Sequence, residues 1–223
     1  EIGQRLGPER LDRYIRDFGF GELTGSGIAG ESKGILFSKK AFGPVEQATT
    51  SFGQGISVTP IQQVQAVAAT INGGKLFQPY IVQKIVDGDG KTVEEFSPIE
   101  KRRVIQEETS AQVRKALESV VANGSGRGAY VDGLRVGGKT GTAQKVENGV
   151  YKDGEYIVSF IGFAPADDPE VLVYVAIDSP KNEVQFGGVI AAPIVGRIIE
   201  EVAPKLAIEK RKDQLEKEYQ WGS

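Results

Sequence analysis

Apolar residues recur along this chain with two different periods, and the period changes about two thirds of the way through. After Pro8-Glu9-Arg10, the residues Leu11, Ile15 and Phe18 recur at four and three, which predicts a short helix that starts on proline and stops at Gly19. Thr59-Pro60 predicts the start of a second helix, with Ile61, Val64, Ala68 and Ile71 on one face and Asn72-Gly73-Gly74 ending it. Thr109 with Gln112 three residues on reads as a capping box, followed by a stripe of Val113, Leu117, Val120 and Val121 that ends at Asn123-Gly124. Between the first two helices, residues 19–58 are rich in Gly and Ser with scattered phenylalanines and predict an ordered but irregular segment. Pro79, YIVQKIV (80–86), the turn DGDGKT and VEEF (93–96) predict a β-hairpin.

Beyond the six glycines between 124 and 138 the pattern becomes that of strands. GKTGTAQKV, EYIVSFIGFA (155–164) and VLVYVAID (171–178) are joined by turns too short for crossover helices, so neighbours are expected to pair antiparallel. VLVYVAID is apolar on both faces, the mark of a mid-sheet strand, yet no run in the chain obviously pairs with its far edge, which is expected to lie open. A helix is predicted over 191–203, carrying Ile194, Val195, Ile198, Ile199 and Val202. The tail after Pro204, EKRKDQLEKEYQ, predicts a charged, solvated helical connector over 205–223. The expected class is α/β of the α+β type, an antiparallel sheet with flanking helices, in one domain over 1–204.

Charge and composition then narrow the chemistry. With 27 basic and 30 acidic residues well mixed and a net charge of −3, nothing favours nucleic acid or an anionic membrane surface as partner. Cys, His and Met are absent, which removes thiol nucleophiles, disulfides, Cys/His zinc sites and a Ser-His-Asp relay. Proton transfer is left to Lys, Asp, Glu or Tyr. No run reaches the ~18 apolar residues of a membrane span, and a start at Glu1 inside a helical pattern is expected of a piece of something longer.

The stretch GLRVGGKTGTAQ (133–144) fits two patterns. Gly133 followed at five by Gly138-Lys139-Thr140 matches a phosphate loop, and Lys139-Thr140-Gly141 matches the K-T-G strand of penicillin-interacting serine enzymes. A phosphate loop joins a buried strand to a helix N-terminus. GSGRGAYVD, before it, is no apolar strand, and TAQKVENGV, after it, has no helical stripe. The strand reading fits better. Lys139 offers a positive charge, Thr140 and Thr142 offer hydroxyls, and Gly141 leaves room for an extended peptide to add to the edge, its terminal carboxylate met by Lys and Thr.

The blocks GQRLGPERLDRYIRDFGFGELTG, ATTSFGQGISVTPIQQVQAVAATINGGKLFQPYIV, ALESVVANGSGRGA, VGGKTGTAQK, SFIGFAPADDPEVLVYVAIDSP and GGVIAAPIVGRII resemble the C-terminal part of the transpeptidase domain of class B penicillin-binding proteins. The wording of GESKG, FGPVEQATTSFGQG and KRKDQLEKEYQWG is most similar to sporulation members from Gram-positive spore formers. The resemblance implies a serine β-lactamase-like fold, D,D-transpeptidation of peptidoglycan stem peptides ending in D-Ala-D-Ala, reaction with β-lactams, no metal or organic cofactor, and a parent anchored on the outer face of the membrane by an N-terminal segment. It also implies roles: Lys139 assists proton transfer and orients the carboxylate, Thr140 and Thr142 hydrogen-bond it, and the Thr142 N–H forms half of an oxyanion hole. No lysine has a serine three residues earlier and no asparagine has one two earlier, so the family's S-x-x-K nucleophile and S-x-N motifs are missing. A missing N-terminal segment of the same domain is therefore the expected partner, and the piece alone is expected to be inactive. A non-acylating scaffold of cell-wall synthesis is the alternative. Asp167-Asp168, Glu107-Glu108 and Glu200-Glu201 read as solvated charge, Phe52-Gly53-Gln54-Gly55 as packing, and Gly124 to Gly128 as a loop beside the cleft or simply the route to the strand.

Overall fold

A computed structural model of the chain describes residues 1–147, 150–181 and 184–215. The chain divides into two compact units, residues 1–107 and 108–223. The first contains helices α1 (Ile2–Leu6), α2 (Pro8–Asp17), α3 (Pro44–Thr50) and α4 (Pro60–Ile71). It also contains two antiparallel pairs: β1 (Lys75–Gln78) with β4 (Ile99–Arg103), and between them in sequence β2 (Lys84–Val86) with β3 (Thr92–Glu95).

α2 begins on Pro8 as expected, and α4 opens on a capping box in which Gln62 N donates to Thr59 Oγ1 (3.2 Å) and Thr59 N donates to Gln62 Oε1 (2.9 Å). The buried face of α4 is not the predicted one. Gln62, Gln65, Ala66, Ala69 and Ile71 are buried, whereas Ile61, Val64 and Ala68 are half-buried. The amides cause the rotation: Gln62 Nε2 donates to the carbonyls of Glu22 (2.8 Å) and Lys33 (3.0 Å), and Gln65 Nε2 donates to that of Phe77 (2.8 Å). These inward amides order the irregular segment, whose backbone has few ladder partners of its own. A carboxylate closes the same segment at 24–31. Glu31 accepts from the Ser26 and Thr24 hydroxyls and from the amides of Gly25 and Ser26, and those donors hold its carboxyl down to about 2. The pattern of apolar positions does not predict α3; Pro44 starts it, and the Glu46 carboxylate accepts from the Gly43 amide at 3.0 Å. The 80–96 hairpin is present, with strands shorter than predicted.

In the second unit, α5 (Glu107–Asn123) ends where expected but begins two residues before Thr109, which lies in its first turn rather than at its cap. The strands β5 (Gly137–Glu147), β6 (Val150–Ala164) and β7 (Val171–Asp178) form an antiparallel sheet in the order β5-β6-β7, the predicted arrangement. β6 is central: its last five residues, on both faces, are buried. Next come α6 (Gly187–Ile190) and α7 (Ala192–Val202), and Ala192, Val195, Gly196 and Ile199 of α7 turn inward at helical spacing against Phe160, Ala164, Val131 and Leu134. β7 is half-buried, and among the described residues no strand pairs with its outer edge, as the pattern predicted.

The tail departs from its expected form. Residues 209–215 carry no helix, and the rest of the predicted helix, 216–223, lies outside the described residues. Asp167 is likewise not simple solvated charge. Arg135 pairs with Glu118 (2.8 Å), Asp167 (3.1 Å) and Asp213 (3.4 Å), and Arg211 pairs with Asp167 (2.8 Å) and Asp213. Burial pushes the Asp167 carboxyl up, but the Arg211 hydrogen bond and the charges of Arg135 and Arg211 outweigh it and leave the group lowered; Asp213, bonded to Arg211, is lowered too. Depressed carboxylates stabilise the fold above their unfolded value, near 3.8, and that contribution disappears as the pH falls through the lowered folded values. The unfolding midpoint is therefore expected to hold between neutrality and mild acid and to drop below that value. In Arg211→Ala the acid drop should be shallower in denaturant titrations across pH, and equal slopes would refute the pairing.

Candidate active site

β5 leaves the core through two glycines. A Cβ on Gly137 would lie 2.5 Å from the Phe163 ring and one on Gly138 would lie 2.5 Å from the Phe160 ring, both rings being fully buried partners in β6. The strand can pass close to these rings only without side chains. From Lys139 onward it is exposed or half-buried, with Lys139 opposite Ile161, Thr140 opposite Phe160, Gly141 opposite Ser159 and Thr142 opposite Val158. Among the described residues its outer edge pairs with no strand.

The predicted site residues are contiguous on this strand, and the structure brings two of them into direct contact. Lys139 Nζ donates to the carbonyl (3.0 Å) and the hydroxyl (3.2 Å) of Thr140, and the Thr140 hydroxyl is 3.2 Å from Ser125 Oγ. Thr142 is exposed. The small size of Gly141 has a local cause, because a Cβ there would run into the Ser159 hydroxyl across the pair. No helix follows Thr140, in keeping with rejection of the phosphate loop.

Three further positions complete the neighbourhood, and periodicity and motif spacing assign none of them. Ser125, in the glycine-rich loop after α5, meets Thr140. Gly187 and Gly188 open α6 against the strand: a Cβ on Gly187 would strike the Ser159 carbonyl and lie 2.7 Å from that of Gly141, and one on Gly188 would strike the Ser125 carbonyl and lie 3.3 Å from Thr140 Cγ2. The paired glycines in FGGVIAAP were the available signal, since adjacent glycines before a helix mark a close backbone approach. In the first unit, Phe52 of the FGQG run is 70% exposed, which corrects the expectation that it packs. Among the described residues no group of His, Cys, Asp or Glu is arranged to hold a metal ion.

Comparison with known proteins decides what this strand belongs to. The family profile described as "Penicillin binding protein transpeptidase domain" matches residues 1–200. The chain belongs to that transpeptidase family. It is 61% identical over all its 223 residues to stage V sporulation protein D of Bacillus subtilis, and covers 34% of that protein. It is 36% identical over 200 residues to the probable peptidoglycan D,D-transpeptidase PenA of Neisseria meningitidis, covering 89% of this chain and 32% of that protein. It thus spans about a third of the length of these curated relatives. Among solved structures, penicillin-binding protein 3 of Mycobacterium tuberculosis in complex with ampicillin is 31% identical with a TM-score of 0.86, covering 98% of this chain and 51% of that one. The transpeptidase domain of penicillin-binding protein 3 from Burkholderia pseudomallei is 32% identical with a TM-score of 0.82, covering 95% and 61%. The expected β-lactamase-like fold class is the one these family members have.

The contact of α6 with the strand is directly testable. Gly187→Ala should displace the turn from Gly141 and Ser159 and destabilise the protein by about 1–3 kcal/mol in denaturant unfolding. Gly154→Ala, at an open position on β6, should leave the strand's surroundings intact even though its backbone is strained. Perturbation of amide shifts at 140–142 by Gly187→Ala alone is the expected signature, and its absence would show that α6 does not support the strand.

Proposed function

We propose that this chain is the substrate-gripping part of a serine-type D,D-transpeptidase, with residues 1–204 belonging to the catalytic domain. The observation that carries the reading is the Lys139-Thr140-Gly141-Thr142 run, exposed at Lys139 and Thr142, on a strand whose outer edge pairs with no strand among the described residues. A stem peptide ending in D-Ala-D-Ala adds along that edge, and its carboxylate is met by the Lys139 ammonium and the hydroxyls of Thr140 and Thr142. Ser125 fixes the direction of the Thr140 hydroxyl. The attacking serine is supplied by the longer protein, since neither S-x-x-K nor S-x-N occurs here. Its oxygen bonds the penultimate D-Ala carbonyl carbon and the terminal D-Ala leaves, taking up a proton. An amine from a neighbouring strand then attacks the acyl-serine, loses a proton and restores the serine. The Thr142 N–H is one donor to the oxyanion, a contribution typically about 3–4 kcal/mol in such sites.

β-Lactams enter as carboxylate-bearing mimics of the same peptide end. Among the described residues no helix is long and apolar enough to cross a membrane, so anchoring on the outer face is assigned to another part of the protein, in a Gram-positive spore former. A non-acylating scaffold is the competing reading, and covalent chemistry separates the two.

A fluorescent penicillin is expected to label the full-length protein on a denaturing gel and to leave the 223-residue piece unlabelled. Labelling of the piece would place the nucleophile inside it, and a silent full-length protein would favour the scaffold. Lys139→Ala in the full-length protein should slow acylation at least about a hundredfold, and an unchanged rate would remove Lys139 from the mechanism.

A further inference from the structure

The tail after α7 returns to the turn that feeds the Lys139 strand. Ala207 adopts a left-handed conformation (φ 55°) and reverses the chain, Ile208 packs on the core, and the Arg211 amide donates to the Gly133 carbonyl at 2.7 Å. Gln214 then adds three side-chain hydrogen bonds to the same turn. Its Oε1 accepts from the Gly133 amide (2.6 Å), and its Nε2 donates to the carbonyls of Val131 (2.9 Å) and Leu134 (2.7 Å). One side chain thus bonds three backbone groups of a turn whose own backbone bonds are Leu134 N to the Val131 carbonyl (3.1 Å) and Val136 N to the Leu134 carbonyl (3.0 Å). Gly133 sits at φ 78°, and a Cβ there would lie 2.8 Å from Lys210 Cβ, so the tail passes directly over the turn.

The link from this turn to the strand is short and stiff. Leu134 and Val136 are buried, Arg135 is fixed by Glu118, Asp167 and Asp213, Gly137 and Gly138 lie under Phe163 and Phe160, and Lys139 comes next. A change in the turn has no flexible residue in which to dissipate before it reaches the strand. We infer that Gln214 is a positioning residue for the Lys139–Thr142 strand, acting through the 131–136 turn, so that the tail is part of the substrate-gripping machinery rather than a connector leaving it. The inference rests on the proposed transpeptidase reading for its functional consequence, though not for its structural one.

The test uses the full-length protein with Gln214→Met, which keeps the side-chain length and removes all three hydrogen bonds, beside Val173→Ala, which loosens the core cluster that Val173 packs against and leaves the Gln214 hydrogen bonds in place. Amide hydrogen exchange over 131–147 and the rate of covalent labelling by a fluorescent penicillin are read at a temperature where every variant is folded. Gln214→Met should accelerate exchange at 137–142 at least about fivefold and slow labelling about tenfold, while Val173→Ala changes neither. Gln214→Glu keeps the acceptor for Gly133 and loses both donors. It should fall between wild type and Gln214→Met, and it serves as the comparison where the methionine variant does not fold. Unchanged exchange at 137–142 on loss of Gln214, or the same change in Val173→Ala, overturns the inference. If the wild type itself does not label, the transpeptidase reading fails, and the exchange data alone decide the role of Gln214.

Discussion

Two glycines under two phenyl rings set the geometry on which the rest of the second unit depends. Gly137 and Gly138 let β5 lie flush against Phe163 and Phe160, which belong to the stretch of β6 buried on both faces. Burying each ring removes roughly 150–250 Å² of surface from water, a term large enough to fix where β5 leaves the core. The register then has no freedom, because a slip by one residue in one direction would put Lys139 against the Phe160 ring and in the other would put a glycine in its place at the edge. The polar run is exposed because the apolar pair before it is held.

Around this anchor the charged groups act more as alignment than as adhesive. Exposed ion pairs are worth about 0–1 kcal/mol each, so the Arg211 pairs with Asp167 and Asp213 add little to stability one by one. Arg135 differs in geometry, with Nε and Nη2 both donating at 2.8 Å to a buried Glu118 in a two-pronged pair that admits one orientation. Through Asp167 and Asp213 the same guanidinium ties α5 to the β6–β7 turn and the tail. Three segments distant in sequence therefore share one fixed point immediately before β5.

The sequence discloses what depends on local period and local chemistry. The three-strand sheet, α7, the hairpin, the ends of α2 and α4 and the C-terminal end of α5 are all legible in it, as is the Lys139–Thr142 run. What it hides is set by tertiary partners. The face of α4 differs from the apolar stripe because Gln62 and Gln65 point inward to satisfy distant carbonyls, which no hydrophobicity pattern encodes. β4 escapes the pattern because IEKRR is charged at four of five positions and pairs only because β1 lies beside it. Charge alone makes the tail read as a helix, whereas Gln214 has three backbone partners at least 80 residues away in the chain. Ser125 carries no local signal of its role for the same reason, and the paired glycines at Gly187 signal a close approach without saying to what: their importance lies in what a Cβ or hydroxyl meets across space.

The solvent exposure of Lys139 has a physical implication for how the grip works. In water an ammonium–carboxylate pair at about 4 Å gains only about 1 kcal/mol, against roughly 4 kcal/mol where the effective dielectric falls to about 20. On the open strand, Lys139 is in the first regime. In the proposed complex, main-chain pairing along the edge supplies register, and selective retention of a peptide end requires water to be excluded from the far side of the strand. On the proposed reading, the recognition chemistry and the surface that makes it strong are therefore separable.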